Sequence, residues 1–207
     1  MAIKFPLKMR GVDVRNLEDL RENFDSGAAI KYFKDGRLLK WLKARYHDDT
    51  AEKISALDDT ASDFPQKLCA ALGVDDKILV AFAKFFGTFN VWNIADIVDE
   101  PPPEHKKNFI DTFCGEEYSE RDLLLIVVNY SLRGFAVTRD AFCVVYNFNP
   151  SQYFRQKFLY DNIAAVESSG GELKIVDVDG RDWIIEFQQL DDTFAERLAN
   201  FLNAVRS

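Results

Sequence analysis

Two histidines, three cysteines and a scatter of carboxylates are the residues of this 207-residue chain that could carry chemistry. His47 stands beside an acidic loop and His105 follows a run of prolines. Neither has a second His or Cys at the spacing that a metal site or a nucleophile–base pair needs, so both read as ordinary surface residues. The adjacent carboxylates Asp48-Asp49, Glu116-Glu117 and Asp191-Asp192 could share protons in general acid–base work. They fall in loops and at helix starts, however, where acids cap and solvate. No G-x-S-x-G, G-x-x-x-x-G-K-[ST], H-E-x-x-H or EF-hand pattern occurs. Ser168-Ser169-Gly170-Gly171 is glycine-rich but leads into a strand, whereas a phosphate cradle presents a helix N-terminus. With no nucleophile, base or ligand set, the expected protein is not an enzyme and uses no cofactor or metal. Its function is to be sought among binding roles.

Charge narrows those roles. The chain carries 26 basic and 34 acidic residues for a formal charge of −8. Residues 1–110 are nearly balanced, with 17 basic against 18 acidic, while residues 111–207 hold 9 against 16. An acidic second half argues against nucleic acid and anionic membranes as partners. The exception is a basic island over residues 31–45, where Arg37, Lys40 and Lys43 fall on the outer side of a helix. It reads as a solvated face balanced by Asp48, Asp49 and Glu52, or as a dock for an acidic protein or nucleic-acid surface. Cys69, Cys114 and Cys143 are odd in number and form no C-x-x-C, so core thiols of a cytosolic protein are expected. The apolar runs Leu123–Val128 and Ile78–Phe86 are far shorter than the roughly 20 residues of a spanning helix. The opening MAIKFPLKMRG shows no apolar signal-peptide core. A cytoplasmic location is expected.

The elements that must position these residues change character midway. After a short lead, Asn16 is the expected N-cap of a helix carrying Leu17, Leu20 and Phe24 at helical spacing. Ser26 is expected to cap the next helix, with Ile30 and Phe33, and Asp35 the one after, with Leu38, Leu39, Leu42 and Tyr46 along one buried face. Asp49 or Thr50 starts a helix with Ile54 and Leu57. Another runs from Ser62 past Pro65 to Leu72, where Gly73 stops it. Asp75 is the expected cap of Asp76–Phe86. Trp92, Ile94, Ile97 and Val98 form one more apolar segment, read as helical. Trp41, Trp92 and Trp183 are read as core.

Asp99-Glu100-Pro101-Pro102-Pro103 breaks the pattern, because consecutive prolines exclude helix before them. A linker over 99–103 divides a helical domain, 1–100, from a β-rich one, 101–207. Pro103 opens a helix to Cys114. Leu123–Tyr130 then reads as a strand buried on both faces, and Phe135–Thr138 and Ala141–Phe148 as a hairpin. Tyr153–Tyr160, Ile163–Ser168, Glu172–Asp177 and Arg181–Phe187 complete seven strands, with Asp179-Gly180 as a type I′ turn. Phe194, Leu198, Phe201, Leu202 and Val205 form the apolar stripe of a closing helix. The expected fold is α+β: a cluster of short helices, then a curled antiparallel sheet of about seven strands plugged by the last helix.

That order and three local features are similar to a bacterial pleckstrin-homology-like domain of the GRAM or short bacterial type, over residues 121–206. Ala136-Val137-Thr138-Arg139-Asp140-Ala141-Phe142 resembles the x-x-T-x-x-R-L/F hairpin of that family, although Ala141 replaces its usual Arg. Phe158-Leu159-Tyr160-Asp161-Asn162-Ile163-Ala164-Ala165-Val166 resembles its I-P-Y-x-x-I-x-x-V segment. The Gly170-Gly171 turn, the last hairpin and the final helix complete the likeness. Separately, residues 11–57 resemble, through NLEDLRENFD and KDGRLLKWL, a small helical module found at the N-termini of otherwise unrelated bacterial proteins of unknown role. That module implies an adaptor-like element and no chemistry.

The resemblance directs attention to the first hairpin, where phosphoinositide-binding members cluster Lys and Arg. The corresponding region offers Arg133 and Arg139, with Arg155 and Lys157 expected near them. Glu116, Glu117, Glu120, Asp122 and Asp140 oppose them and argue against specific phosphoinositide binding. The expected function is an intracellular adaptor that binds a protein or peptide. Two alternatives remain: an acidic, immunity-type antagonist of a basic toxin, and peripheral membrane attachment through residues 31–45.

Overall fold

The computed structural model describes residues 5–87, 92–94, 103–128, 134–149, 152–186 and 192–206. It is an α+β structure in two units, Met1–Asn90 and Val91–Ser207. Apart from Pro103, the proline linker read at 99–103 lies outside the described residues.

The first unit opens on a hairpin where the sequence indicated only a lead. Strands β1 (Leu7–Met9) and β2 (Val12–Val14) pair antiparallel around Arg10 and Gly11, whose φ of 49° and 73° make a type I′ turn. Leu7, Met9 and Val14 point inward and are buried. Six helices follow: α1 (Leu17–Glu22), α2 (Ser26–Lys34), α3 (Arg37–Lys43), α4 (Asp48–Ser55), α5 (Phe64–Leu72) and α6 (Lys77–Phe86). Their inward residues Leu20, Leu38, Trp41, Leu42, Ile54, Leu72 and Phe86 are fully buried, as the helical spacing requires.

The caps sit beside the expected positions. Asn16 caps α1 as read, accepting from the Asp19 amide at 2.8 Å. For α2 the cap is Asp25, which accepts from the Ala28 amide at 3.0 Å, and not Ser26. Ser26 lies inside the helix, and its hydroxyl is buried without a hydrogen-bond partner among the described residues. Gly36, not Asp35, is the N-cap of α3, and His47 that of α4. Asp76, not Asp75, caps α6, accepting from the amides of Ile78 and Leu79. A carboxylate placed one residue earlier in the chain cannot reach the N2 and N3 amides at this length.

The second unit contains two sheets. In the first, β3 (Trp92–Ile94), β4 (Leu123–Val128), β5 (Gly134–Thr138), β6 (Ala141–Asn149) and β7 (Gln152–Leu159) lie in that order, with β3 parallel to β4 and the rest antiparallel. Trp92–Ile94 is thus a strand where a helix was expected. The second sheet has the order β10 (Asp182–Glu186), β9 (Glu172–Asp177), β8 (Ile163–Ser169). The seven strands read from the sequence therefore form two separate ladders, not one curled sheet. A 3-10 turn at Tyr160–Asn162 divides them. Asp179-Gly180 is also not the type I′ turn expected. Gly180 alone has positive φ, 79°, with hydrogen bonds from its amide to Asp177 O and from the Asp177 amide to Arg181 O. That is a type I turn closed by a left-handed glycine, a three-residue hairpin loop.

Over their described residues the central strands β4, β5 and β6 carry buried side chains on both faces. On one, Ala136, Ala141, Cys143 and Val145 pack with Ile110, Phe113 and Cys114 at the end of α7 (Pro103–Phe113). The small residues allow a helix to approach closely. A bulge between Leu123 and Leu125 lets both Leu123 and Ile126 join this face. On the other face the partners are aromatic: Phe135 with Phe142 (5.7 Å between ring centroids), Phe142 with Phe158 (6.2 Å), and Phe158 with Trp183 of β10 (5.7 Å). Helix α8 (Asp192–Val205) closes this side, and Phe194, Leu198, Phe201, Leu202 and Val205 are all buried as read. Among the described residues no helix is long and apolar enough to cross a membrane.

The cap assignment is tested by two neighbouring substitutions. Asp25→Ala removes a cap and lowers unfolding stability by about 1 kcal/mol in chemical denaturation. Ser26→Ala removes a buried hydroxyl that has no partner and leaves stability unchanged or raised. Equal losses would contradict the assignment.

Candidate functional site

The turn between β5 and β6 is held from four directions. The Tyr160 hydroxyl, buried, is shared between the carbonyls of Thr138 at 2.7 Å and Ala141 at 3.1 Å. The Tyr160 amide donates to Asp140 O, and the Arg139 amide to Asp122 O, each at 3.1 Å. The Thr138 hydroxyl accepts from the Ala141 amide at 3.0 Å and donates to the Asp140 carboxylate at 2.8 Å. The second Asp140 oxygen takes the Tyr118 hydroxyl at 2.9 Å. Burial pushes the Tyr160 phenol well above its usual range. Burial and the Asp140 carboxylate push Tyr118 up to about 12. Neither phenol ionises near neutral pH, so both act as hydrogen-bond donors and not as bases.

Lys157 and Arg155 lie on the same side of β7, as their i, i+2 spacing requires. Opposite them on β6 stand Cys143 and Val145. Both cations are drawn to α7 and the loop after it. Lys157 Nζ pairs with Glu117 at 2.8 Å and sits 4.8 Å from the centre of the Tyr118 ring. Arg155 donates to Asp111 O at 3.1 Å. The Lys157 ammonium is raised by Glu117, and the Glu117 carboxyl is lowered by Lys157. The acids expected to repel a phosphate are partners as well. Glu120 pairs with Lys106 at 2.8 Å, and Asp122 accepts from the Ser119 amide and hydroxyl. Arg139 shares the turn with Asp140, and Arg133 lies outside the described residues. The hairpin region thus brings Arg155 and Lys157 together, but for holding the 114–122 loop to the sheet. Tyr118, central to that arrangement, was not singled out in the sequence. Its only signal there was an aromatic in an otherwise polar stretch.

The other candidate surface is α2 and α3. Arg37 pairs with Asp35 at 2.6 Å and lies 4.5 Å over the Tyr32 ring. Lys40 and Lys43 are exposed, as are Lys31 and Lys34. Arg45, in the same basic run, is withdrawn from the surface. It lies 4.3 Å over the Trp41 ring and donates to the carbonyls of Arg15 and Phe5. Tyr46, expected along the buried face of α3, is instead 82% exposed, because the helix ends at Lys43. Trp41 is core as read, while Trp183 is half-buried and donates to Asp177 at 3.3 Å.

The cysteines lie in the core. Cys69, Cys114 and Cys143 are free and buried. Burial pushes the Cys69 thiol up to about 12, and a hydrogen bond with Cys143 followed by burial pushes Cys114 far up. Thiols so shifted are poor nucleophiles. Among the described residues no cluster of His, Cys, Asp or Glu could hold a metal ion. No family model, curated protein or solved structure matches the chain.

Two measurements check this reading. Tyr160→Phe removes the phenol donor from the Thr138 carbonyl, leaving Ala141 O to the Thr138 hydroxyl, and costs about 1–3 kcal/mol in denaturation of the second unit. Lys157→Ala, which breaks a partly exposed pair, costs under about 1 kcal/mol. With a thiol reagent at pH 8, the native protein should give no fast reaction and the unfolded protein should release all three thiols.

Proposed function

We propose that the second unit is a pleckstrin-homology-like scaffold and that the protein is a non-enzymatic binding protein. Its partner is a protein or peptide, taken up at the edge where β7 and β8 face apart, beside α8. The observation that carries this reading is that β7 and β8, consecutive in the chain, are each the terminal strand of a different sheet. A terminal strand presents unpaired backbone donors and acceptors to which an extended segment can add. Leu159, at the end of β7, is 39% exposed and could take an apolar side chain of that segment. On β8 the Asn203 side chain already occupies the Val166 carbonyl at 2.8 Å, so pairing is favoured on the β7 side.

Two further observations support the scaffold. Thr138 and Tyr160, one from each of the two stretches that resemble the family, meet in a single hydrogen bond. Four antiparallel strands, then three, then a helix packed on the second sheet is the order that the resemblance implies. The engagement of Lys157 with Glu117 weighs against a phosphoinositide at the hairpin, since a head group needs donors not already paired. A second reading, an acidic antagonist of a basic toxin, draws on the 16 acidic against 9 basic residues of 111–207.

Affinity capture with the full chain, followed by amide hydrogen exchange on the complex, tests the proposal. One stoichiometric partner and slowed exchange over 152–159 are expected. Recovery of no such partner, or slowing elsewhere with β7 unchanged, contradicts it. A strongly basic partner that slows exchange at acidic surface positions instead favours the antagonist reading.

A further inference from the structure

The second sheet ends on β10, and the hairpin before it fixes which backbone groups of that strand face away from β9. The Asp177 amide bonds Arg181 O at 3.0 Å, so Asp177 and Arg181 form a hydrogen-bonded pair. In an antiparallel ladder such pairs alternate with open ones. Trp183 and Ile185 therefore bond β9 at Ile175 and Leu173, while Asp182, Ile184 and Glu186 turn their N–H and C=O groups outward. No described strand pairs on that side. Over about 13 Å the edge thus offers a donor and an acceptor at every second residue, the pattern to which an extended segment adds.

The side chains of β10 divide between its two faces. Trp183 packs edge-on to Phe158 and Ile185 is buried, so both belong to the core side. Asp182, Ile184 and Glu186 take the outer face, where Ile184 is 63% exposed. Asp182 pairs with Lys174 at 2.9 Å. Glu186 instead stands directly opposite Glu172, in one of the open pairs, where side chains come closest. Both are exposed, and neither has a cation within ion-pair distance among the described residues. Like charges opposed in this way destabilise a sheet.

We propose that the free edge of β10 takes an extended, basic segment of a partner protein as an added strand. The segment's backbone bonds the outward groups of Asp182, Ile184 and Glu186, and a β-branched side chain packs on Ile184. A Lys or Arg two positions away answers Glu186 and, behind it, Glu172. Charge complementarity selects this occupant. A second copy paired antiparallel about Ile184 would set Asp182 against Glu186 at both ends, so the edge repels its own kind. Nucleic acid and anionic membranes meet the same acids and have no strand to add. Residues 111–207, with 16 acids against 9 bases, attract a basic segment before contact is made. The inference rests on the reading of the protein as a binding scaffold, but not on the β7 edge, which belongs to the other sheet.

Fluorescence binding to the full chain, with amide exchange on the complex, tests it. The probes are the labelled peptide Lys-Thr-Val-Thr-Lys and its fully N-methylated copy, which keeps the charge but has no backbone amide to donate. The first peptide is expected to bind in a salt-sensitive manner and to slow exchange at the amides of Asp182, Ile184 and Glu186. The methylated copy is expected to bind about tenfold more weakly or worse. Glu172→Gln/Glu186→Gln is expected to weaken the first peptide several-fold with the unfolding midpoint unchanged or raised, since it removes a repulsion. Absence of binding, equal binding of the methylated copy, no loss in the altered chain, or slowed exchange over 152–159 in place of β10 overturns the proposal. Failure at β10 leaves the β7 edge standing, because exchange over 152–159 in the captured complex tests that edge separately.

Discussion

The second unit depends on one buried hydroxyl. Tyr160 follows β7, opens the 3-10 turn that leads into β8 and reaches back to the carbonyls on either side of the β5–β6 turn. Because the Tyr160 amide also bonds Asp140 O, both backbone and side chain of one residue close on the same turn. Thr138 and Ala141 are buried, so losing the phenol donor there carries a desolvation penalty, eased at Ala141 O by the Thr138 hydroxyl. The ladder must break where the chain turns inward, and two sheets result instead of one. The Tyr160 ring then lies edge-on to Phe201 of α8, with centroids 6.0 Å apart, so the closing helix rests on the same residue.

That constraint decides what the charged residues near the hairpin can do. Asp140 is held by Thr138 and Tyr118, Tyr118 is covered by Lys157, and Lys157 is paired with Glu117. The chain of contacts fastens α7 and its following loop to the face of the sheet where small residues leave room. Charges that in other settings would gather a phosphate serve here to cover a sheet face. In the first unit the roles are divided differently. Arg45 turns inward to tie the N-terminal segment to α3, while its neighbours in sequence stay on the surface around Tyr46, whose φ is 62°.

Much of the fold was legible because its signals are local. β5, β9 and α8 fall within two residues of their expected bounds, since alternation, paired glycines and a helical stripe each act over a few residues. Gly170 and Gly171, both with positive φ, make the tight turn that their sequence announces. What escaped depends on partners far along the chain. β3 is three residues long and is a strand only by pairing with β4, more than thirty positions later. The β1–β2 turn uses Arg10, not Asn or Asp, in the left-handed region, so the usual turn signal is missing. Of the candidate site, the grouping of Arg155 with Lys157 was legible from their spacing. Their engagement by Asp111 and Glu117 was not, because those residues come 44 and 40 positions earlier. Tyr46 was read as buried from its distance to Leu42, a rule that fails once the helix stops at Lys43.

Native-state hydrogen exchange at three amides measures the dependence on Tyr160 directly. The amides of Arg139, Ala141 and Tyr160 donate to Asp122 O, the Thr138 hydroxyl and Asp140 O. If the turn and Tyr160 are the fastening of the second unit, these amides exchange only through its global unfolding, with the same free energy and denaturant dependence as the slowest amides of β9. Exchange at the three amides through local opening, while β9 stays protected, would show that the unit stands without this contact.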